Sequence, residues 1–256
     1  MLEIRGITKL FGGLAALREV SALVEREKIF GLIGPNGAGK TTLFNVITGF
    51  YRPTQGEIIY NSKNITGLKP FEVATIGIGR TYQQNNLFYE FTVERNIFLA
   101  SHMRPKSGIV EDLVGTSSAK KKREVIEHKI EEILTLLELT SFRNEFAKNL
   151  PHGFQRMLGI GIALATEPEL LLLDEPFSGM NAAETESMMG HIKRIHKEKS
   201  IGVLLVEHDM KAVMGLCERI IVLNFGEKIA EGSPEEIREN PTVIEAYLGV
   251  EDVVQY

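Results

Sequence analysis

Gly34-Pro35-Asn36-Gly37-Ala38-Gly39-Lys40-Thr41-Thr42 decides how the rest of the chain is read, because it fits G-x-x-x-x-G-K-[ST] and follows the apolar run Ile29-Phe30-Gly31-Leu32-Ile33. That run reads as a buried strand. Leu43, Phe44, Val46 and Ile47 then give the following helix a wide apolar face, which ends at Gly49. Strand, glycine-rich loop and helix in this order make a cradle for the phosphates of a nucleoside triphosphate. The glycines permit positive φ and let backbone N–H groups point inward, while the helix turns its positive N-terminus to the anionic chain. Lys40 reaches the β- and γ-phosphates, and Thr41 supplies a hydroxyl for Mg²⁺. A plain glycine-rich turn would have no use for Lys40.

Upstream, short β-like runs broken by Gly12-Gly13 form a strand-rich flank over residues 2 to 33. Phe11, just before that turn, is placed either to stack on a flat base or to pack in the core. Downstream, Pro53-Thr54-Gln55-Gly56 is turn chemistry, and Glu57-Ile58-Ile59-Tyr60 is a strand reaching an Asn61-Ser62 turn. Ile76 to Gln84 reads as a further strand ending in polar amides, so Gln83 or Gln84 is expected to face the phosphate site.

From residue 87 to 166 the pattern turns helical, with Val125, Ile126, Ile130, Ile133, Leu134 and Leu137 at helical spacing, and this stretch reads as an insertion in an α/β core. Its basic run Lys120-Lys121-Lys122-Arg123 is read as a solvated face balanced by Glu124, Glu127, Glu131 and Glu132, with an anionic membrane surface as the alternative.

The α/β pattern returns with Leu170-Leu171-Leu172-Leu173-Asp174-Glu175, a continuous apolar run that suits a strand buried on both faces of a parallel sheet. A helix is expected over 182–198, then a second such strand, Val203 to Val206, ending in Glu207-His208-Asp209. Strands with polar ends at one edge of a sheet define a binding crevice. A strand near Ile220 to Leu223, a glycine-containing turn, a capping box at Ser233-Pro234-Glu235-Glu236 and a final helix complete the chain.

Phosphoryl transfer to water needs a charge clamp, a metal, and a group that orients and deprotonates the water. Asp174 at the strand end is the candidate metal carboxylate, Glu175 beside it the group that polarises water, and His208 a donor near the γ-phosphate.

With 256 residues, 25 % of them charged and 43 % hydrophobic, the chain has the make-up of an ordinary globule with ample core. A net charge of −5 argues against nucleic-acid binding through an overall basic field. Cys217 is the single cysteine, which excludes an intrachain disulfide and a multi-cysteine metal site; its apolar neighbours make it a buried structural thiol. Met1 to Gly6 lack a signal-peptide pattern and no run of about 18 apolar residues occurs, so a cytoplasmic chain that does not itself span a membrane is expected.

In its order of parts the chain resembles the ATP-binding subunits of ABC transporters over nearly its whole length. Gly34 to Thr42 match Walker A, Leu170 to Glu175 Walker B with its catalytic glutamate, and His208 the switch histidine. The resemblance implies Phe11 as the adenine-stacking aromatic, Gln83 as the Q-loop glutamine and a metal ligand, Leu150 to Arg156 as the signature, and Ser178-Gly179-Met180-Asn181 as the D-loop. It also implies a P-loop NTPase fold: a mainly parallel sheet, an N-terminal antiparallel β flank, and a helical subdomain, residues 87–166, inserted in a catalytic core of 1–86 and 167–256.

The signature departs from the family's L-S-G-G-Q, whose serine and glycines touch the γ-phosphate bound to the opposite subunit. Pro151, His152 and Phe154 replace the serine, the first glycine and the glutamine, and Gly153 remains. The expectation is an active site with a weakened trans contact, in which the helix N-terminus still aims N–H groups at phosphate, with a donor from His152 and a cap from Asn149.

Leu10 to Leu17, Thr81-Tyr82-Gln83, Phe91 to Asn96 and Ala246-Tyr247-Leu248-Gly249 are similar to branched-chain amino acid importer ATPases. That implies a subunit that binds ATP and Mg²⁺ and drives import of branched-chain or related amino acids from the inner face of the cell membrane. Implied partners are permease subunits, a second identical or different ATPase subunit and a solute-binding protein, with no nucleic acid. The permease would dock near Gln83, where Leu87, Phe88 and Phe91 are either apolar surface or core. Rival readings are the ATPase of a lipopolysaccharide-type exporter or of a urea importer, a nucleic-acid or translation clamp, and a nucleotide-binding regulator.

Overall fold

The structure is a computed structural model that describes residues 1–82, 87–101 and 117–251, with the backbone alone at 117–122 and 248–251. In chain order the elements are β1 Leu2–Phe11, β2 Leu14–Val24, β3 Ile29–Ile33, α1 Lys40–Ile47, β4 Gln55–Tyr60, β5 Lys63–Asn64, α2 Pro70–Thr75 and β6 Ile78–Arg80. Helices α3 Val93–Ser101, α4 Ser117–Leu136 and α5 His152–Ala165 follow, then β7 Leu170–Asp174, α6 Ala182–Lys199, β8 Gly202–Val206 and α7 Met210–Leu216. The chain continues through β9 Arg219–Asn224, β10 Glu227–Gly232, α8 Pro234–Arg238 and α9 Pro241–Glu251.

Two sheets result. One is antiparallel, ordered β2-β1-β4-β5; the other, ordered β10-β9-β3-β8-β7-β6, is parallel except for the edge strand β10. Every residue of β3, β7 and β8 is buried, as continuous apolar runs require when both faces are covered.

The two-residue period of a strand divides their side chains between two cores. Ile29, Ile33, Leu171, Leu173, Val203, Leu205, Ile220 and Val222 join the core shared with α3 to α7. Phe30, Leu32, Leu170, Leu172, Leu204, Val206, Ile221 and Leu223 pack the other way, against Leu43, Phe44, Val46 and Ile47 of α1 and against Leu2, Ile4 and Ile7 of the antiparallel sheet. The phosphate-loop helix is thereby clamped between two sheets. It ends at Ile47, and Gly49 at φ +77° turns the chain where a Cβ would lie 2.1 Å from the Leu68 carbonyl oxygen.

Between β6 and β7 the described regular structure is α-helical apart from two short 3₁₀ turns and a single bridge, Thr92 to Phe146. Buried Asn96 ties the entry to this region together, donating from Nδ2 to the carbonyls of Phe88 and Thr92 and accepting from the Phe88 N–H. Leu87 belongs to the core, whereas Phe88 is 57 % exposed and stacks on Phe91 at 5.5 Å, so the expected docking surface divides between the two readings. Arg123 pairs with Glu127 one turn on, as a solvated helical face would. No described helix is long and apolar enough to cross a membrane.

Four elements go beyond the sequence expectations: the two-residue strand β5, α2, α7 and the edge strand β10, which pairs with β9 through a Phe225-Gly226 turn. The strand expected over Ile76 to Gln84 is shorter, Ile78–Arg80, because Ile76 caps α2 and Gly77 turns at φ +103°. Gln83 and Gln84 lie outside the described residues.

Candidate functional site

The C-terminal ends of β3, β7 and β8 converge on a cavity of about 370 Å³ lined by Asn36 to Thr42, Glu175 and His208. Its opposite wall is Leu14, Ala15, Ala16 and Arg18 of β2 with Phe225 and Gly226 of the β9–β10 turn. The phosphate loop is closed by Ala38 N–H donating to the Pro35 carbonyl at 3.1 Å and Gly226 N–H donating to the Ala38 carbonyl at 3.1 Å. Gly34 and Gly39 are obligatory here. A Cβ on Gly34, at φ +149°, would sit 2.0 Å from the Leu223 carbonyl oxygen, and one on Gly39 would sit 2.6 Å from that of Ala16.

Lys40, buried at the start of α1, donates from Nζ to the carbonyls of Gly34 at 2.7 Å and Pro35 at 3.0 Å. Burial pushes its pKa below the usual lysine value, and the Glu175 carboxylate pulls the other way. A desolvated cation folded over loop carbonyls is held ready for an anion, since phosphate oxygens can replace those acceptors.

Glu175 follows Asp174 at the end of β7 in a left-handed conformation, φ +49°, fixed by its N–H donating to the Val206 carbonyl of β8 at 3.0 Å. A non-glycine residue in that region carries strain that the surroundings must hold. The turn aims the side chain across the sheet edge, where Glu175 Oε1 lies 2.9 Å from His208 Nε2. Glu207, before the histidine, has a role the sequence did not disclose. Its buried carboxylate accepts the Phe177 N–H at 2.8 Å and the His208 N–H at 3.0 Å, tying the chain after Glu175 to the histidine loop. Burial pushes its pKa up, against the pull of those N–H groups.

Asp174 is buried, and its Oδ2 accepts from Arg80 Nη2 at 2.8 Å. Thr41 lines the cavity at the start of α1. A hydroxyl and a carboxylate are both oxygen donors, which fits Mg²⁺ held by one or two protein oxygens together with phosphates and water. Among the described residues no group of three His, Cys, Asp or Glu side chains would cage a metal by itself.

Among the described residues, the remaining expected positions lie outside the lining of this cavity. Phe11 pairs with Leu14 across the β1–β2 turn but is not among the cavity-lining residues; its ring meets Tyr51 edge-on at 5.1 Å with Lys9 Nζ 4.9 Å from its centroid. Pro151 is the N-cap of α5 and, with His152, is exposed; Gly153 is half-buried, and no side chain caps the helix. Asn149, expected as that cap, instead donates to Glu145 Oε1, because it ends a 3₁₀ turn two residues before Pro151, the residue that occupies the cap position of α5. Phe154 is drawn toward the core, its ring 4.6 Å from that of Phe142. The His152 ring approaches Gly179, where a Cβ would meet its Cε1 at 3.5 Å. Asn181 caps α6 in a capping box with Glu184.

Arg18, Phe225 and Gly226 were not singled out by the sequence reading. A Phe-Gly pair just after an apolar run was the available signal, since Phe225 at φ +46° and Gly226 at φ +82° make a tight hairpin turn.

The family model described as ABC transporter matches residues 17–178, and that of the branched-chain amino acid ATP-binding cassette transporter matches 227–253. The chain is 42 % identical to the high-affinity branched-chain amino acid transport ATP-binding protein BraF of Pseudomonas aeruginosa, covering 97 % of this chain and 98 % of that protein. It is 41 % identical to LivG of Escherichia coli, described in the same words, at the same coverage. Among solved structures, an ATP-binding cassette of an ABC transporter in its ADP conformation superposes with a TM-score of 0.84 at 32 % identity, covering 97 % of this chain and 98 % of the other. A phosphate loop, a carboxylate pair at one strand end and a histidine at the next therefore stand in a chain that belongs to the ABC transporter family.

Proposed function

We propose that this chain is the ATP-binding and hydrolysing subunit of a transporter that imports branched-chain or related amino acids through a membrane permease. The observation that carries the hydrolytic part of the reading is the 2.9 Å contact between Glu175 and His208 at the mouth of a cavity whose floor is Lys40 and the phosphate loop, and the likeness to branched-chain amino acid transport ATP-binding proteins supports the import.

Lys40 and the N–H groups opening α1 hold the β- and γ-phosphates, with the helix dipole adding to the attraction. Thr41 and Asp174 would hold Mg²⁺, with Gln83 as a further ligand, and the bound ion would supply neutralisation of the charge that develops on the phosphate oxygens. Glu175 orients the attacking water and takes its proton, while His208 keeps the carboxylate in place and faces the γ-phosphate. Phe11, exposed and paired with cavity-lining Leu14, is the face on which the adenine stacks. The second cassette of a head-to-tail dimer brings Pro151, His152, Gly153 and Phe154 of its own signature, or their counterparts, to the γ-phosphate, and Asn181 lies at the same interface.

Residues 87–166 act as the helical subdomain, and exposed Phe88 lies on the permease side. The assembly sits on the inner face of the cell membrane with two permease subunits, a second ATPase and a solute-binding protein. Purification of the tagged protein from its native membranes in mild detergent, with mass-spectrometric identification of its companions, tests this. Permease subunits, a second cassette and an amino-acid-binding protein are expected. Lipopolysaccharide-export partners or a nucleic-acid machine would overturn the importer reading.

A further inference from the structure

We propose that Arg80 is a positioning residue that holds the Asp174 carboxylate in register with the phosphate-loop helix and so sets the affinity of the metal site. The proposal rests on the reading of Asp174 as the metal carboxylate. Arg80 is the last residue of β6 and Asp174 the last of β7, two adjacent parallel strands. Both side chains are only 6 % exposed, and Arg80 Nη2 donates to Asp174 Oδ2 at 2.8 Å. The other arm of the fork reaches α1: Nη1 donates to Asn45 Oδ1 at 2.7 Å and to Thr48 Oγ1 at 2.9 Å. Asn45 lies on, and Thr48 caps, the helix that begins with Lys40 and Thr41. One planar guanidinium therefore spans the element that carries the metal hydroxyl and the strand end that carries the metal carboxylate.

The plane of the fork is itself fixed. Its central carbon lies 5.6, 5.8 and 4.9 Å from the ring centroids of Phe44, Phe50 and Tyr82. The Asp174 backbone is held from the same side, its N–H donating to Thr81 Oγ1 at 3.3 Å, while the Thr81 N–H donates to the Leu172 carbonyl at 2.9 Å. An arginine that takes one carboxylate oxygen leaves the second available to a cation or its water, in the way that outer partners orient metal ligands. A lysine could not do this equally, because its point charge cannot bridge three acceptors in one plane.

The test is the binding of a fluorescent N-methylanthraniloyl derivative of ADP to the full chain while Mg²⁺ is titrated, repeated with Mn²⁺ and its electron paramagnetic resonance signal. Arg80→Met is expected to raise the half-saturating metal concentration about tenfold or more, leaving nucleotide affinity in EDTA within about twofold. Arg80→Lys should fall between Met and wild type. Thr48→Val, which removes one acceptor and touches neither Asp174 nor the nucleotide, should move the metal dependence the same way by a smaller factor, and it carries the test if Arg80→Met does not fold. Unchanged or tighter metal dependence in a folded Arg80→Met, or in Thr48→Val where only that variant folds, overturns the proposal. Asp174→Asn separates the two readings: if it leaves the metal dependence unchanged, the metal role of Asp174 falls and the proposal with it. If Asp174→Asn shifts the dependence and Arg80→Met does not, only the role of Arg80 falls.

Discussion

His208 Nε2 lies 2.9 Å from Glu175 Oε1, which joins the ends of β7 and β8 across the mouth of the phosphate cavity. The contact exists because Glu175 adopts φ +49° and because Glu207 fixes the backbone N–H of His208. Each side chain has its own place on a rigid strand end, and each is reached from a different direction. Glu175→Gln keeps the shape and a hydrogen-bonding oxygen but cannot take a proton. Turnover should fall by at least about 10²-fold with nucleotide binding retained. His208→Ala should lower turnover by a similar factor. Single-turnover hydrolysis beside equilibrium nucleotide binding checks both, and wild-type hydrolysis in Glu175→Gln would remove Glu175 from the role of base.

Gly34 and Gly37 both have positive φ, yet their surroundings differ. A Cβ on Gly34 would meet the Leu223 carbonyl oxygen at 2.0 Å, whereas one on Gly37 would meet nothing within 4 Å. Gly34→Ala should therefore destabilise by about 3 kcal/mol or more. Gly37→Ala should lose only the backbone strain of about 1–2 kcal/mol. Urea unfolding midpoints of the two variants distinguish clash from strain, and equal losses would contradict the distinction.

Pro151 caps α5 without a side-chain acceptor. Serine there would accept an N–H of its own helix and, at the proposed contact between cassettes, add a hydroxyl toward the partner's phosphate. Pro151→Ser should add about 1 kcal/mol of stability. It should also raise turnover of the assembled transporter about tenfold. Unchanged turnover would show that the helix N-terminus alone suffices at that contact.

Burial pushes the Cys217 thiol up to about 12, with Glu207 and Glu218 adding to the shift. Because the folded pKa lies above that of the unfolded chain, the thiol remains protonated in the native protein at pH 8. A disulfide reagent should leave Cys217 unmodified there and react at once in urea. The stability linked to this proton is intact below the unfolded thiol's pKa near 8.5 and is lost as the pH rises toward 12. Chemical unfolding followed from pH 8 to 11 should show a steeper loss in wild type than in Cys217→Ala, where the half-buried Tyr82 and Tyr247 hydroxyls, also pushed up by burial, still contribute.

The parts written as local pattern were legible in the sequence. Strands β3, β7 and β8 are unbroken apolar runs, and the phosphate loop declares itself through glycines that the packing around Leu223 and Ala16 makes obligatory. Helix α7 was not legible, since seven residues give no clear period and its start depends on Asp209 accepting the Ala212 N–H. Strand β10 is a half-exposed edge segment of mixed polarity. Arg80 looked like a charge in a strand, and its meaning comes only from partners 32, 35 and 94 residues away. Asn149 has the chemistry of a helix cap but is spent on Glu145, two residues short of the true cap.

The most direct test of the central claim is uptake of radiolabelled leucine by proteoliposomes holding the purified complex, with the binding protein on one side and ATP supplied on the cassette side. Wild-type complex should accumulate leucine only with ATP and Mg²⁺, and complex carrying Glu175→Gln should bind ATP without accumulating it. Leucine uptake that persists in Glu175→Gln, or ATP hydrolysis that drives no uptake of leucine or a related amino acid, would contradict the account.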